Sequence, residues 1–437
     1  MKKIAFIIPS WHYWADPFKL QPLWELYYAT QVRVGLPHKD VSILDMRKMS
    51  NRGTLTEEVN QLPEKNIYMY WVMKSGDSVE IASIVSLLKK RFPESIHIAG
   101  GTHVDMRPNE CAEIFDAIVT GPGEKSMVDA VNDAEKGHLK SRYEVDYKFQ
   151  SFTITPYPQR DFLPKESIVN TELFKQYGEV PGTSMYMSRG CVYRCAYCVY
   201  NVPNALQVRD TNLIKEEIAY LKKDYDVAGI NLRDEVAIHP NFKIFAGMMD
   251  AIGSSDIIWR GQTTSLATHD QLRIARETGC QELSVGVETV DDQVMGVINK
   301  KWQSEKKIRS FIESAKHYGI KIKMCLIFGL PGESRNIVQK TISFIEETEP
   351  DFVSLSGFCP VPGSPIFNEP AKYGIKSIDH DWSKHAHLLY RFSEEEEVGL
   401  PFVYEDEGPW GKNFTREEIA ENIRTTQQWL NDRSMVY

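Results

Sequence analysis

Cys191, Cys195 and Cys198 fall in one short run, Cys-Val-Tyr-Arg-Cys-Ala-Tyr-Cys, in a chain of 437 residues with 7 cysteines in all. Three thiolates can hold three irons of a [4Fe–4S] cluster and leave the fourth iron open, whereas electron-transfer clusters use four cysteines. An open iron can bind a substrate or cosubstrate directly. A structural zinc site would want a fourth Cys or His at ligand spacing, and neither a second C-x-x-C nor a nearby histidine supplies one. Cys111, Cys280, Cys325 and Cys359 are scattered singly, which gives no disulfide framework. The spacing therefore favours an open cluster, with zinc and a thiol redox role as the alternatives.

A loop of metal ligands needs a rigid seat, and the flanking sequence reads as alternating strands and helices. Over 181–375 the pattern predicts strands at Ser184–Met187, Gly229–Leu232, Ile257–Trp259, Glu282–Val287, Lys321–Ile327 and Phe352–Ser356. Helical stretches at Ile214–Leu221, His269–Thr278 and Glu305–His317 fall between them, with Glu216, Glu217, Lys222 and Lys223 placed on an exposed side. The first strand would deliver the cysteines at its carboxyl end, where function concentrates on such folds.

Residues 1–145 alternate in the same way. Strands are expected at Ile4–Ile8, Val41–Asp45, Asn66–Met73, Ile96–Ala99 and Ala117–Val119, and helices at Pro22–Val34 and Val79–Arg91. This predicts a doubly wound parallel sheet, with ligands at the strand carboxyl ends, where Gly100-Gly101 and Gly121-Pro122-Gly123 lie. Trp11, Trp14 and Trp24 near the first strand end read as core ahead of cavity lining. Residues 146–180, punctuated by Pro156, Pro158 and Pro164, read as a linker. Residues 376–437 read as a small helical extension, with an acidic run at Ser393–Glu397 on a solvated face and a terminal helix at Thr415–Leu430 capped by Thr415.

Ser188-Arg189-Gly190-Cys191 running into Cys195 and Cys198 resembles the cluster loop of radical S-adenosylmethionine (SAM) enzymes. The resemblance continues in order through Arg233-Asp234-Glu235, Gly286-Val287-Glu288-Thr289, Ile298-Asn299-Lys300, Ile327–Glu333 and Pro360–Pro365. It implies a partial (β/α)6 barrel, a [4Fe–4S] cluster on the three cysteines, SAM chelated to the open iron, and a 5′-deoxyadenosyl radical. It further implies that Tyr197 packs near the adenine, that Asp234 and Glu235 receive the SAM amine, that Glu288 contacts SAM, and that Ile327 and Gly329 flank the adenine. A carboxylate suits an ammonium through charge-assisted hydrogen bonds. A buried ion pair with a lysine or arginine is the competing role for Glu288, and a first-turn helix position the competing role for Glu333.

The first 145 residues resemble the cobalamin-binding domain that precedes the radical domain in one large class of these enzymes. Gln21-Pro22-Leu23-Trp24, Gly100-Gly101-Thr102-His103-Val104-Asp105 and Thr120-Gly121-Pro122-Gly123-Glu124 carry it. Gly100, Gly101 and Gly121 would let backbone approach the cofactor, and His103 would touch it without ligating cobalt. The Asp-x-His-x-x-Gly segment that supplies a lower cobalt ligand in some relatives is missing, and Trp24 and Asp105 replace a usual glycine and threonine. Methylthiotransferases, which share the radical domain, carry a cysteine-rich N-terminal cluster domain, whereas Cys111 alone precedes this triad. The function implied is a cobalamin-dependent methyltransferase acting on an unactivated carbon. The alternatives are a cobalamin-free radical SAM enzyme catalysing a cyclisation or carbon–carbon bond formation, and a non-catalytic cobalamin- or SAM-binding protein. Flavodoxin or ferredoxin would donate the electron. The substrate, a small molecule or peptide, is not legible.

Composition sets the remaining bounds. The length predicts two domains, and 42% apolar with 25% charged residues is ordinary for a globular chain. A net charge of −9 disfavours a broad nucleic-acid surface. No apolar run reaches membrane-spanning length, and Ile4–Ile8 is too short for a signal-peptide core. A cytoplasmic protein with reduced thiols is the simplest expectation.

Overall fold

The computed structural model describes residues 3–11, 18, 21–49, 53–199, 206–385 and 399–436. Trp14 and the acidic run at 393–397 lie outside the described residues. The chain divides into two compact units, Met1–Ser184 with Tyr220–Val227, and Met185–Ala219 with Ala228–Tyr437.

The first unit is built on strands β1 (Lys3–Ile8), β2 (Asp40–Asp45), β3 (Ile67–Trp71), β4 (Ile96–Gly100), β5 (Ala117–Thr120) and β6 (Arg142–Glu144), in the order β2-β1-β3-β4-β5-β6. All of their pairings are parallel. The interior strands are near-continuous apolar runs, as a sheet covered on both faces requires; Ile4, Phe6, Ile67, Met69, Ile98 and Ala117 are fully buried. Helices α1 (Leu23–Gly35), α2 (Leu55–Asn60), α3 (Ser75–Arg91), α4 (Thr102–Met106), α5 (Pro108–Ile114) and α6 (Gly123–Glu135) connect the strands. The basic end of α3, Lys89-Lys90-Arg91, complements the helix dipole. The short strand β6, with one buried residue, carries too little pattern to be read from sequence. The expected linker is a packed surface: within 146–180, Phe152, Arg160, Leu163, Ile168, Leu173 and Phe174 are buried, and the segment belongs to the first unit.

A second six-stranded sheet has the order β14-β13-β12-β11-β10-β7. Its strands are β7 (Gly182–Met185), β10 (Gly229–Leu232), β11 (Ile258–Thr263), β12 (Cys280–Glu288), β13 (Lys321–Phe328) and β14 (Phe352–Gly357). Sequential neighbours with parallel pairing from β10 through β14 are the order of an open βα barrel. Helices α7 (Thr211–Tyr225), α8 (Phe242–Gly253), α9 (His269–Glu277), α10 (Asp292–Val297), α11 (Glu305–His317) and α12 (Ile337–Thr348) link them, followed by the short α13 (Pro365–Asn368). The tail is less helical than expected. Strand β15 (Ile375–Ile378) pairs antiparallel with β16 (Phe402–Tyr404), and β17 (Glu407–Gly408) with β18 (Gly411–Lys412), before α14 (Arg416–Asn431). Thr415 caps α14 in a capping box with Glu418.

Two local expectations fail for physical reasons. The strand expected over Ser184–Met187 stops at Met185, and Ser188–Arg189 forms a separate strand, β8, paired antiparallel with β9 (Gln207–Val208). The Met187 N–H is diverted from the ladder to the Asp234 carboxylate. Glu217 is not on the exposed side of α7; it is buried against Arg209 in an ion pair, while Glu216 beside it is exposed.

Candidate active site

The three cysteines follow β8 on a loop fastened from four directions. Asp234, immediately after β10, is fully buried; Oδ2 accepts the Met187 N–H at 3.1 Å and Oδ1 the Ser188 hydroxyl at 2.5 Å. Glu235 Oε2 accepts the Gly190 N–H at 3.1 Å, and Gly190 sits at φ +90°. The Ala196 N–H donates to the Ile298 carbonyl at 2.8 Å, and the Asn299 amide donates to the Arg194 carbonyl at 2.6 Å. The Ile366 N–H closes the far side on the Ala196 carbonyl. Arg194 Nη1 donates to the Cys191 and Tyr193 carbonyls, and the Tyr193 ring lies 4.3 Å from that of Trp302. These bonds fix the loop, on which Cys191, Cys195 and Cys198 are half-buried and in no disulfide.

Among the described residues no three His, Cys, Asp or Glu side chains close on one point as a single-ion site demands.

Burial pushes the Asp234 carboxyl up to about 6 and that of Glu235 up to about 8. Both oxygens of Asp234 accept hydrogen bonds from the stretch that delivers Cys191, which braces the loop from beneath.

Tyr197, Glu288 and Lys300 come together. The Tyr197 hydroxyl donates to Glu288 Oε1 at 2.8 Å, and Lys300 Nζ stands 3.3 Å from the same oxygen while donating to the Gly286 carbonyl at 2.6 Å. Glu288 closes β12 at φ +65°, beside a register shift between Gly286 and Glu288. A non-glycine residue in that region is strained, which marks sites where position matters. The ion pair is the competing role that the sequence offered for Glu288, and which lysine would supply it was not legible, because the pairing crosses from the α10 end back to β12.

Ile327 is a half-buried residue near the end of β13, and Gly329 follows at φ +88°. Glu333 folds back on its own turn, Oε2 accepting the Gly329 N–H at 2.9 Å and Oε1 the Leu330 N–H at 3.1 Å. It precedes α12 by several residues, so its carboxylate caps the turn and not the helix. Burial pushes that carboxyl up to about 8. The tail completes this turn. The Tyr404 hydroxyl donates to the Gly329 carbonyl at 2.8 Å, a Cβ at Gly329 would stand 2.9 Å from Ile419, and one at Gly332 3.3 Å from Trp410. No sequence signal pointed to Tyr404 or Trp410.

In the first unit, Gly101 and Gly121 approach the protein's own backbone. A Cβ at Gly101, φ +118°, would lie 2.5 Å from the Val72 carbonyl oxygen, and one at Gly121, φ +78°, 1.9 Å from that of Val145. Gly100 faces the Met127 methyl. Asp105 joins the two turns by accepting the Gly121 N–H at 2.8 Å, and burial pushes its carboxyl up to about 7. His103 is buried, with Nδ1 3.0 Å from the Ser75 hydroxyl. Trp24 stacks on Tyr28 and Trp71 at centroid distances of 5.8 and 5.4 Å. Trp11 is buried at φ +51°. Thr120 Oγ1 and Ser126 Oγ, at the end of β5 and in the first turns of α6, are buried without a hydrogen-bond partner among the described residues. Such hydroxyls are costly unless a polar group meets them.

Residues 185–345 match the Radical SAM superfamily. An uncharacterised methyltransferase of Pyrococcus horikoshii is 24% identical over 390 residues, covering 83% of this chain and 81% of that protein. The bacteriochlorophyllide d C-8(2)-methyltransferase of Chlorobaculum tepidum is 23% identical over 74% of this chain and 72% of its own length. Among solved structures, the radical SAM methyltransferase TsrM of Kitasatospora setae, with cobalamin and a [4Fe–4S] cluster bound, superposes at a TM-score of 0.72 over 94% of this chain and 88% of its own, at 15% identity.

Proposed function

We propose, on the match of residues 185–345 to the radical SAM superfamily, that this chain is a cobalamin-dependent methyltransferase acting on an unactivated carbon. The observation that carries the reading is the braced loop of Cys191, Cys195 and Cys198 with Tyr197 tied to Glu288 and Lys300. When bound, the cluster supplies the electron that releases a 5′-deoxyadenosyl radical from SAM, and cobalamin supplies the methyl carrier. Cys191, Cys195 and Cys198 hold the cluster. Asp234 and Glu235 keep the loop in register for it. Glu288, oriented by Lys300 and Tyr197, presents its carboxylate to SAM. Ile327 and the backbone at Gly329 flank the adenine, where positive φ keeps a side chain out of the way. In the first unit the unpartnered hydroxyls of Thr120 and Ser126 suit the polar substituents of a large cofactor. His103, buried with Nδ1 at the Ser75 hydroxyl, contacts the cofactor without ligating cobalt in this reading. The electron comes from a low-potential carrier such as flavodoxin or ferredoxin. The substrate is a small molecule or a peptide, and the setting is cytoplasmic. No helix among the described residues is long and apolar enough to cross a membrane.

One observation favours a second reading. Trp24, stacked with Tyr28 and Trp71 near the strand carboxyl ends, fills space where this class usually has glycine, as in a first unit that has lost cobalamin. Metal analysis separates the two. Anaerobic protein from cobalamin-fed cells should hold about four irons and about one cobalt per chain, and should form 5′-deoxyadenosine from SAM with dithionite. Iron without cobalt, even after incubation with cobalamin, would move the assignment to the cobalamin-free enzyme. Full 5′-deoxyadenosine formation by Cys→Ala variants of the triad would remove the cluster assignment.

A further inference from the structure

The turn after β13, Gly329-Leu330-Pro331-Gly332, draws little support from its own segment. Gly329 and Gly332 stand at φ +88° and +82°, a region glycine enters freely but does not prefer. Locally, the Glu333 carboxyl accepts the Gly329 and Leu330 N–H groups. One long backbone bond, from the Glu333 N–H to the Leu330 carbonyl at 3.4 Å, adds to it. The rest of the turn's footing comes from the tail, which lies in the same compact unit.

Three tail side chains meet the turn, each at a different place. Tyr404 in β16 donates its hydroxyl to the Gly329 carbonyl at 2.8 Å. Ile419 in α14 and the Trp410 ring fill the spaces beside Gly329 and Gly332, at 2.9 and 3.3 Å from where a Cβ would stand. Tyr404 is 8% exposed. Its ring lies edge-on to Phe402 at 5.0 Å, and Phe402 edge-on to Phe358, just beyond β14, at 5.1 Å. Burial, with Glu333 nearby, raises the Tyr404 pKa well above the usual phenol range, so the hydroxyl stays a donor. Just past the turn, Arg335 donates to Glu418 and to the Asn413 carbonyl, both at 2.8 Å. Glu418 is also the carboxylate of the Thr415 capping box, so one side chain ties the start of α14 to the turn.

We propose that Tyr404 is a positioning residue for SAM, acting through the Gly329 carbonyl, and that with Trp410 it makes the tail a part of the SAM site. The proposal rests on the radical SAM reading, in which the adenine lies beside Ile327 and Gly329. A glycine turn left loose is ordered only when the ligand arrives, and that ordering subtracts from affinity. With Tyr404 on its carbonyl and Trp410 against its second glycine, the turn is ordered beforehand. The benefit falls on the adenosyl end of SAM, which touches the turn. The methionine end, chelated to the open iron in the same reading, lies outside its reach.

Fragments of SAM separate this role from a merely structural one. Full-length, cluster-reconstituted protein is titrated calorimetrically with SAM, with 5′-methylthioadenosine, which keeps the adenosyl end, and with methionine, which keeps the other end. Tyr404→Phe removes the hydroxyl and keeps the ring. It should weaken SAM and 5′-methylthioadenosine about three- to tenfold, the range for one lost hydrogen bond, and leave methionine unchanged. Trp410→Leu, at a half-buried ring, should show the same split and guards against a folding artefact in the first variant. SAM affinity unchanged in both variants would overturn the proposal. So would a loss shared equally by methionine and 5′-methylthioadenosine, the sign of a barrel loosened as a whole. Formation of 5′-deoxyadenosine from SAM with dithionite is measured on the unaltered protein. Its absence would remove the radical SAM reading and this proposal with it, whereas its presence without the fragment split would overturn the proposal alone.

Discussion

Lys300 is nearly fully buried and touches both the Gly286 carbonyl and Glu288. Removing one partner of a buried pair strands the other, which costs about 3–5 kcal/mol. Lys300→Met is therefore expected to lower the urea midpoint and to weaken SAM binding, whereas Lys300→Met with Glu288→Gln should recover most of the stability and none of the SAM affinity. Asp234→Asn tests the brace. The amide keeps one acceptor oxygen and loses the charge, so the chain should fold with its far-UV spectrum intact yet retain less iron after gel filtration. At this scale the cysteines were legible because their spacing is local. Glu217 was misjudged because a carboxylate's partner is set by how the chain returns, and nothing in Glu216-Glu217 encodes that Arg209 will stand beside it, just as nothing in Arg233-Asp234-Glu235 encodes the bonds to Met187 and Ser188.

The strand-end turns of the first unit make a sharper prediction. Gly101 and Gly121 combine positive φ with a carbonyl oxygen in the space of a Cβ. Gly101→Ala and Gly121→Ala should each cost about 2 kcal/mol or more, through backbone strain of the kind that costs about 1–3 kcal/mol with the clash added. Chemical denaturation of the apo protein measures this without any cofactor, so a loss seen only in the cobalamin-loaded form would contradict the packing role. Most elements were readable from period and composition: β10 and α11 match their expected limits, and long apolar runs fixed the sheet interiors. The break between β7 and β8 was not readable, since Ser184–Met187 has strand composition throughout and the interruption comes from Asp234.

Across the whole molecule, burial raises several carboxyls: Glu25 and Asp105 to about 7, and Glu333 to about 8. Each is raised above its unfolded value, so between roughly pH 4.5 and 8 the native state keeps protons that the unfolded chain has released, and stability falls as pH rises. The urea midpoint should accordingly be higher at pH 6 than at pH 8.5. Glu333→Gln should flatten the upper part of that slope, and a slope of the opposite sign would show these groups to be ionised in the native state.

Tyr404, Trp410 and Ile419 prop the turn at Gly329–Gly332 from a part of the chain well beyond residue 345, where the superfamily match stops. The superfamily segment thus holds the cysteine loop, while part of what props the Gly329–Gly332 turn lies beyond it. Hybrid enzymes joined at the edge of the superfamily segment would inherit the cysteine loop and lose the support of the Gly329–Gly332 turn. An exchange that keeps this turn's footing has to carry β16 through α14 along with the barrel.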